Sequence, residues 1–526
     1  MKVPERVSTR VMNLGDLLTH TARRLPDAPG LVHGDRSWTW SEVNARVDAL
    51  AHALSAMGIG KGDCILVQAR NSVPMFETLF ATLKLGAVWV PMNFRGHPGD
   101  VAHPASHTRA RLIFHDAEFA GHADVALQNG CETTICLTGT PRSGEKGHAE
   151  LIAAHAGRTF RSATVDRDDP CWLFLTSGTT GLPKAAVLSH GQMAFVVTSH
   201  LADLMPGMSE RDASLVVAPL SHGAGVNQLI LVARGVPTIL TTGARFDPEE
   251  VFALIERHRV SNMFTVPTIL TSLASHDAAE RHDHRSLRYV IYAGAPMLRQ
   301  HQKLALGKLG NCLVQYFGLG EVTGNITVLP PHLHSVNDAE MAVGSCGYAR
   351  TGMDIEIQDD AGHPLAAGEV GEICAIGPAV FNGYHRNDKA NAAAFREGWF
   401  RTGDMGYLDE RGFLFITGRQ SDMFISGGSN IYPLEIENAI AAHPSVAEAC
   451  VLGMPDPKWG ECGVAVVSLG HGQTLDAQAL TSFLEDRLAA YKIPREVVFV
   501  DQLPKSSYGK ITKKMVREFL LAGDQG

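Results

Sequence analysis

CILVQARNSVPMFETLFATLKLGAVWVP, residues 64–91, decides the fold class. The run 64–68 (Cys64-Ile65-Leu66-Val67-Gln68) reads as a buried strand, 74–85 as a helix and 87–91 as a second strand. Two strands joined through a helix run parallel, so a parallel sheet is predicted. Just upstream, Thr39 and Glu42 form a T-x-x-E capping box before an amphipathic run over 43–57 that stops at Gly58, which predicts a helix.

The alternation returns downstream, with strands over 215–218 and 238–241, a helix over 248–257 and a strand over 263–266. From about 344 to 415 it gives way to short β-rich stretches (354–358, 371–375, 412–416) broken by Gly and Asp, which predict a small barrel or distorted sheet. Beyond Arg419 the pattern changes again: a helix over 433–442, a strand over 447–453 and a helix over 477–490. The predicted class is α/β. A large N-terminal domain (1–418) holds parallel-sheet α/β subdomains and a small β-rich subdomain, and a mobile α+β C-terminal domain (419–526) follows. There is no internal repeat and no low-complexity tract.

At 526 residues the chain has room for two to four units of about 150 residues. The formal charge of −9 and the lack of a basic run exclude a nucleic-acid partner. Nine scattered cysteines show no zinc-ligand spacing and point to a reducing compartment, and the 24 histidines are dispersed. No apolar h-region opens the chain and no run reaches about 18 apolar residues, so no integral membrane segment and a cytoplasmic location are expected.

The densest motif is Thr176-Ser177-Gly178-Thr179-Thr180-Gly181-Leu182-Pro183-Lys184, between predicted strands over 172–175 and 185–188. Backbone N–H groups, hydroxyl donors and one ammonium together suit phosphates. It is not a Walker loop, because Ala185 and a strand follow Lys184 where that motif has Ser or Thr and a helix. Alone, a Gly/Ser/Thr hairpin of no function has the same composition.

This nonapeptide resembles the phosphate-binding signature of the adenylate-forming superfamily, which includes acyl-CoA synthetases, peptide-assembly adenylation domains and beetle luciferases. Further segments resemble that family's motifs, in its order. Tyr292-Ala293-Gly294-Ala295-Pro296 is similar to the turn whose backbone lies along adenine, where small residues permit close approach. Gln315-Tyr316-Phe317-Gly318-Leu319-Gly320-Glu321 resembles the aromatic-Gly-x-Thr-Glu signature, which implies Phe317 stacked on adenine and Glu321, with Thr176, on the Mg²⁺ side. Phe317 stands where the family has Tyr. Gly320 stands where it has Thr, which removes a hydroxyl from the α-phosphate and is expected to enlarge the acyl pocket. Trp399-Phe400-Arg401-Thr402-Gly403-Asp404 resembles the strand end whose aspartate accepts from both ribose hydroxyls. Gly418-Arg419-Gln420-Ser421-Asp422 is similar to the interdomain hinge, with Arg419 toward ribose and phosphate, and Ser421 where the family has Asp or Lys.

Leu503-Pro504-Lys505-Ser506-Ser507-Tyr508-Gly509-Lys510-Ile511 resembles the C-terminal loop whose second lysine enters the active site, which makes Lys510 the catalytic ammonium. Ser426-Gly427-Gly428-Ser429-Asn430 resembles the lining of the pantetheine tunnel, Trp459 a residue packed against it, and Lys492 and Arg495 are candidates for CoA phosphates. Pro219-Leu220-Ser221-His222-Gly223 resembles the border of the acyl pocket, to which Gly223, Ala224, Asn227 and Val322 are also assigned; His222 lines or gates the route to the carboxylate. Residues 223–227 carry no charge, which favours a monocarboxylate.

The resemblance implies a carboxylic acid:CoA ligase that uses ATP, Mg²⁺ and CoA, with Lys510, Glu321 and His222 as catalytic residues. The alternatives are a stand-alone enzyme loading a carrier protein, a light-emitting oxidase and an idle ligand-binding relative. Further candidate partners are a second copy of the chain and a lysine acetyltransferase acting on Lys510.

Overall fold

The computed structural model describes residues 8–176, 182–243, 245–338, 344–426, 429–505 and 511–523. The strand–helix–strand unit forms as read: strand Cys64–Gln68, helix Val73–Lys84 and strand Val88–Pro91, with the two strands parallel. The capping box closes both ways, since Glu42 N donates to Thr39 Oγ1 at 3.3 Å and Thr39 N to Glu42 Oε2 at 2.8 Å, starting the helix Trp40–Ala56.

Two seven-stranded sheets carry the large region. The first runs Lys184–Ser189, Pro170–Thr176, Val88–Pro91, Cys64–Gln68, Leu112–His115, Thr133–Cys136, Lys146–Gly147; the second runs Leu313–Gln315, Tyr289–Tyr292, Asn262–Thr265, Ser214–Val216, Thr238–Leu240, Pro29–His33, Arg36–Thr39. Trp40, Trp89 and Trp172 are completely buried in one core shared by elements of both sheets. Each such side chain contributes roughly 1.5–3 kcal/mol or more on transfer from water. A third, antiparallel sheet is built from Asp354–Gln358, Gly371–Ile376, Trp399–Leu408, Phe395–Arg396 and Leu414–Arg419, the β-rich unit the sequence predicts.

After the turn Gln420–Asp422 a fourth sheet forms, with Glu496–Phe499 parallel to Gly460–Leu469 and helices Pro433–Ala441, Ala477–Glu485 and Lys513–Gly523 around it. Its two hydrophobic clusters draw only on residues from Phe424 onward. The helix expected over 477–490 stops at Glu485, where the Arg487 N–H closes a tighter three-residue turn onto Leu484 O. No helix among the described residues is long and apolar enough to cross a membrane.

Candidate active site

Thr176, the last residue of Pro170–Thr176, pairs across the antiparallel ladder with Lys184, the first of Lys184–Ser189. This pair fixes both ends of the glycine- and hydroxyl-rich loop. Ser177, Gly178, Thr179, Thr180 and Gly181 lie outside the described residues, as do Gly427, Gly428 and Lys510.

The adenine-side motifs leave neighbouring parallel strands at the same edge, since Tyr292 pairs with Gln315. Crevices at strand C-termini are where open α/β sheets bind ligands. Gly294, Ala295 and Pro296 are exposed there, and Gly294 has φ +83°, a conformation open to glycine at little cost. Phe317 N donates to Thr327 Oγ1 at 2.9 Å, and that hydroxyl donates to Cys346 O at 2.5 Å, so a buried threonine sets the backbone beneath the Phe317 ring. A Cβ on Gly318 would lie 2.5 Å from the Gly324 backbone, so only glycine fits that crossing. Leu319 is half-buried.

Glu321 follows in the turn Gly320–Val322 and is 5% exposed. Its Oε1 accepts from Thr176 Oγ1 at 3.2 Å and from Tyr384 OH at 2.9 Å. Among the described residues no hydrogen bond falls on Oε2. Burial first, then the Glu321 charge, pushes the Tyr384 phenol far above its ordinary range, so it remains a donor. A carboxylate and a hydroxyl side by side are hard oxygen donors, which suits Mg²⁺ completed by substrate phosphates. Lys184 Nζ lies 4.9 Å from the Tyr384 ring centroid, a cation–π distance.

Asp404 is 6% exposed and its Oδ1 accepts from Arg419 Nε at 3.0 Å across adjacent strands. Burial pushes its carboxyl up, Arg419 pulls it down, and the charges of Asp422 and Glu321 add to the upward push.

Around the proposed acyl pocket, aromatic rings stand where glycines leave room. A Cβ on Gly320 would lie 2.5 Å from Phe174 Cδ1 and 3.1 Å from Thr176 Cγ2. The space expected to enlarge the pocket is therefore filled by Phe174, a correction whose cause is steric. A Cβ on Gly223 would meet Phe264 at 2.4 Å, and one on Gly324 would meet the Tyr316 ring at 2.4 Å. Phe264 and Tyr316 lie tilted against each other, with ring centroids 6.1 Å apart. The His222 ring stands edge-on to Phe174 at 5.5 Å, with Nδ1 2.9 Å from Ser221 Oγ. Ala224 and Asn227 are 2% exposed, and Val322 is wholly buried in the core.

In the C-terminal region Trp459 is exposed, with Lys458 Nζ 4.9 Å and Arg495 Cζ 5.3 Å from its ring centroid. Lys492 Nζ is held by both Glu435 oxygens at 2.7 Å, which neutralises the charge assigned to CoA phosphate.

Sequence reasoning did not single out Tyr384, Phe174 or Phe264. Tyr384 lies 63 positions from its partner, and no local signal marks it. The two phenylalanines read as ordinary strand residues, and only the facing glycines reveal what they do.

The AMP-binding enzyme family model matches residues 18–385, and the AMP-binding enzyme C-terminal domain model matches 435–510. A feruloyl-CoA synthase of Amycolatopsis sp. is 36% identical over 97% of this chain and 99% of its own length. An indoleacetate–CoA ligase of Aromatoleum aromaticum is 33% identical over 97% of this chain and 98% of its own. The solved structure of o-succinylbenzoate CoA synthetase from Bacillus subtilis, in complex with its acyl-adenylate intermediate, superposes with a TM-score of 0.83 at 30% identity, covering 96% of this chain and 97% of that one. With that family model spanning most of the sequence and such relatives matching nearly end to end, the chain belongs to the AMP-binding enzyme family, among the acyl-CoA synthetases of the adenylate-forming superfamily.

Proposed function

We infer that this chain is an AMP-forming acid:CoA ligase with the site residues described above. The observation that carries this reading is the contact of Thr176 with Glu321 at the mouth of the loop closed by Lys184. In the first step a carboxylate oxygen attacks the α-phosphorus of ATP, a P–O bond forms to give acyl-AMP, and pyrophosphate leaves. Mg²⁺ held by Glu321 and Thr176 would supply charge neutralisation on the phosphates. The loop from Thr176 to Lys184 holds the departing phosphates, Phe317 and the 294–296 turn hold adenine, and Asp404 accepts the ribose hydroxyls. The Lys510 ammonium offsets the charge gathered as the two anions approach. In the second step the CoA sulfur attacks the acyl carbonyl, its thiol proton is lost and AMP leaves. A domain boundary near 418/419 would let the C-terminal part reorient between the steps, bringing Gly427, Gly428, Trp459 and Arg495 to the thiol's route.

The acid is an aromatic or arylalkyl monocarboxylic acid. The rings of Phe174, His222, Phe264 and Tyr316 support this, as do relatives named for ferulate and indoleacetate. The test is product analysis over a panel of such acids: AMP and a thioester should appear with free CoA. ADP as the spent nucleotide, or activity only with a phosphopantetheinyl carrier protein, would overturn the reading. Lys510→Ala should slow adenylation by about 10²-fold or more while sparing thioester formation from supplied acyl-AMP; equal loss in both steps would remove Lys510 from its role. Acetylation of Lys510 removes the same charge and should act alike.

A further inference from the structure

Residues 381–385 form a strap that joins the edge of the first sheet to the acidic turn, alongside the direct contact of Thr176 with Glu321. The strap continues the first sheet beyond its edge strand Lys184–Ser189: Val187 N donates to Gly383 O at 2.9 Å, Asn382 N to Val187 O at 3.1 Å and His385 N to Ala185 O at 2.8 Å. At its start Phe381 N donates to Glu321 O at 2.8 Å, which ties it to the backbone of the acidic turn. Asn391 locks the strap from behind, since Tyr384 N donates to its Oδ1 at 2.6 Å and its Nδ2 donates to Tyr384 O at 3.1 Å. Gly383 has φ +107°, and a Cβ there would lie 3.0 Å from Asn391 Oδ1, so the lock requires glycine. The outcome is a buried phenol, 9% exposed, with its OH on Glu321 Oε1 and its ring under Lys184 Nζ.

We propose that Tyr384 is a positioning residue for Glu321: with the Thr176 hydroxyl it occupies Oε1 and so selects Oε2 as the oxygen offered to Mg²⁺. A carboxylate on a short turn has two near-equivalent oxygens and a free terminal torsion. Two donors converging on one oxygen remove that freedom. The Thr176 hydroxyl spends its proton on Oε1 and keeps its lone pairs for the metal side. Residues that hydrogen-bond a metal ligand set its orientation and, when lost, typically weaken metal binding about tenfold or more. The same ring lies under Lys184, so one side chain registers the metal carboxylate against the phosphate-loop cation.

This inference rests on Glu321 being the metal carboxylate, and the experiment separates the two. Mn²⁺ replaces Mg²⁺ and its binding to the ATP-loaded protein is titrated by electron paramagnetic resonance, for the parent chain, Tyr384→Phe and Glu321→Gln. Tyr384→Phe keeps the ring, its packing and its contact with Lys184. Its melting temperature should stay within about 2 °C of the parent, while the Mn²⁺ dissociation constant rises about tenfold. The Mg²⁺ concentration for half-maximal ATP–pyrophosphate exchange should rise in parallel, with the rate at saturating Mg²⁺ changed less. Unchanged Mn²⁺ affinity in Tyr384→Phe, beside clear loss in Glu321→Gln, overturns the role of Tyr384 and leaves the metal assignment standing. Unchanged affinity in Glu321→Gln overturns the assignment beneath it.

Discussion

Gly320 and Phe174 share one volume. A threonine at 320 would put its Cβ 2.5 Å from the Phe174 ring, and the ring would have to leave its place beside His222. We predict that Gly320→Thr alone destabilises the protein by about 1–3 kcal/mol, as overpacking does, and that Phe174→Ala relieves most of that cost in the double variant. Urea unfolding of the four forms measures the coupling; additive effects would mean that the two positions do not contest the space. Tyr316 and Gly324 stand in the same relation, so the acyl region is bounded by rings set against glycines.

At the scale of elements, the helix His190–Ser199 opens beneath the N-terminal segment, where Leu14 N donates to His190 Nδ1 at 3.3 Å. The ring is completely buried, and that burial lowers its pKa to about 4, with Asp169 opposing and Lys61 adding to the shift. An unfolded histidine titrates near about 6.5, so between that pH and about 4 the unfolded chain binds a proton the folded one refuses. Stability from this group is therefore complete above about pH 6.5 and falls as pH drops toward 4, by about 3 kcal/mol at most. Replacing His190 with Gln, whose oxygen can accept from Leu14 N, should flatten the fall in melting temperature between pH 7 and pH 5. An unaltered slope would show that other buried histidines, such as His334, carry it.

At the scale of the whole molecule, the turn Gln420–Asp422 is the short connection between the large body and a C-terminal sheet with its own cores. Ser421 is exposed and its side chain reaches only Asp422 Oδ1, at 3.3 Å, among the described residues. Proline is tolerated in the first turn of a helix and fixes φ, so Ser421→Pro should stiffen the turn without unfolding it. We predict adenylation within about twofold of the parent and thioester formation slowed about tenfold, read by single-turnover kinetics of each step. Equal effects on both steps would show that rotation at this turn does not gate the second. What the sequence determined by itself was local and periodic: the strand–helix–strand unit at 64–91, the Thr39 capping box, the change of pattern after Arg419, and the order of the motifs. Those are legible because apolar spacing and capping chemistry act over a few residues. Only the tertiary structure decided that Phe174 fills the space at Gly320, that Glu435 neutralises Lys492, and that Tyr384 reaches Glu321. Each of these is a meeting of side chains far apart in the chain, and packing in three dimensions, which spacing along the sequence does not encode, brings them into contact.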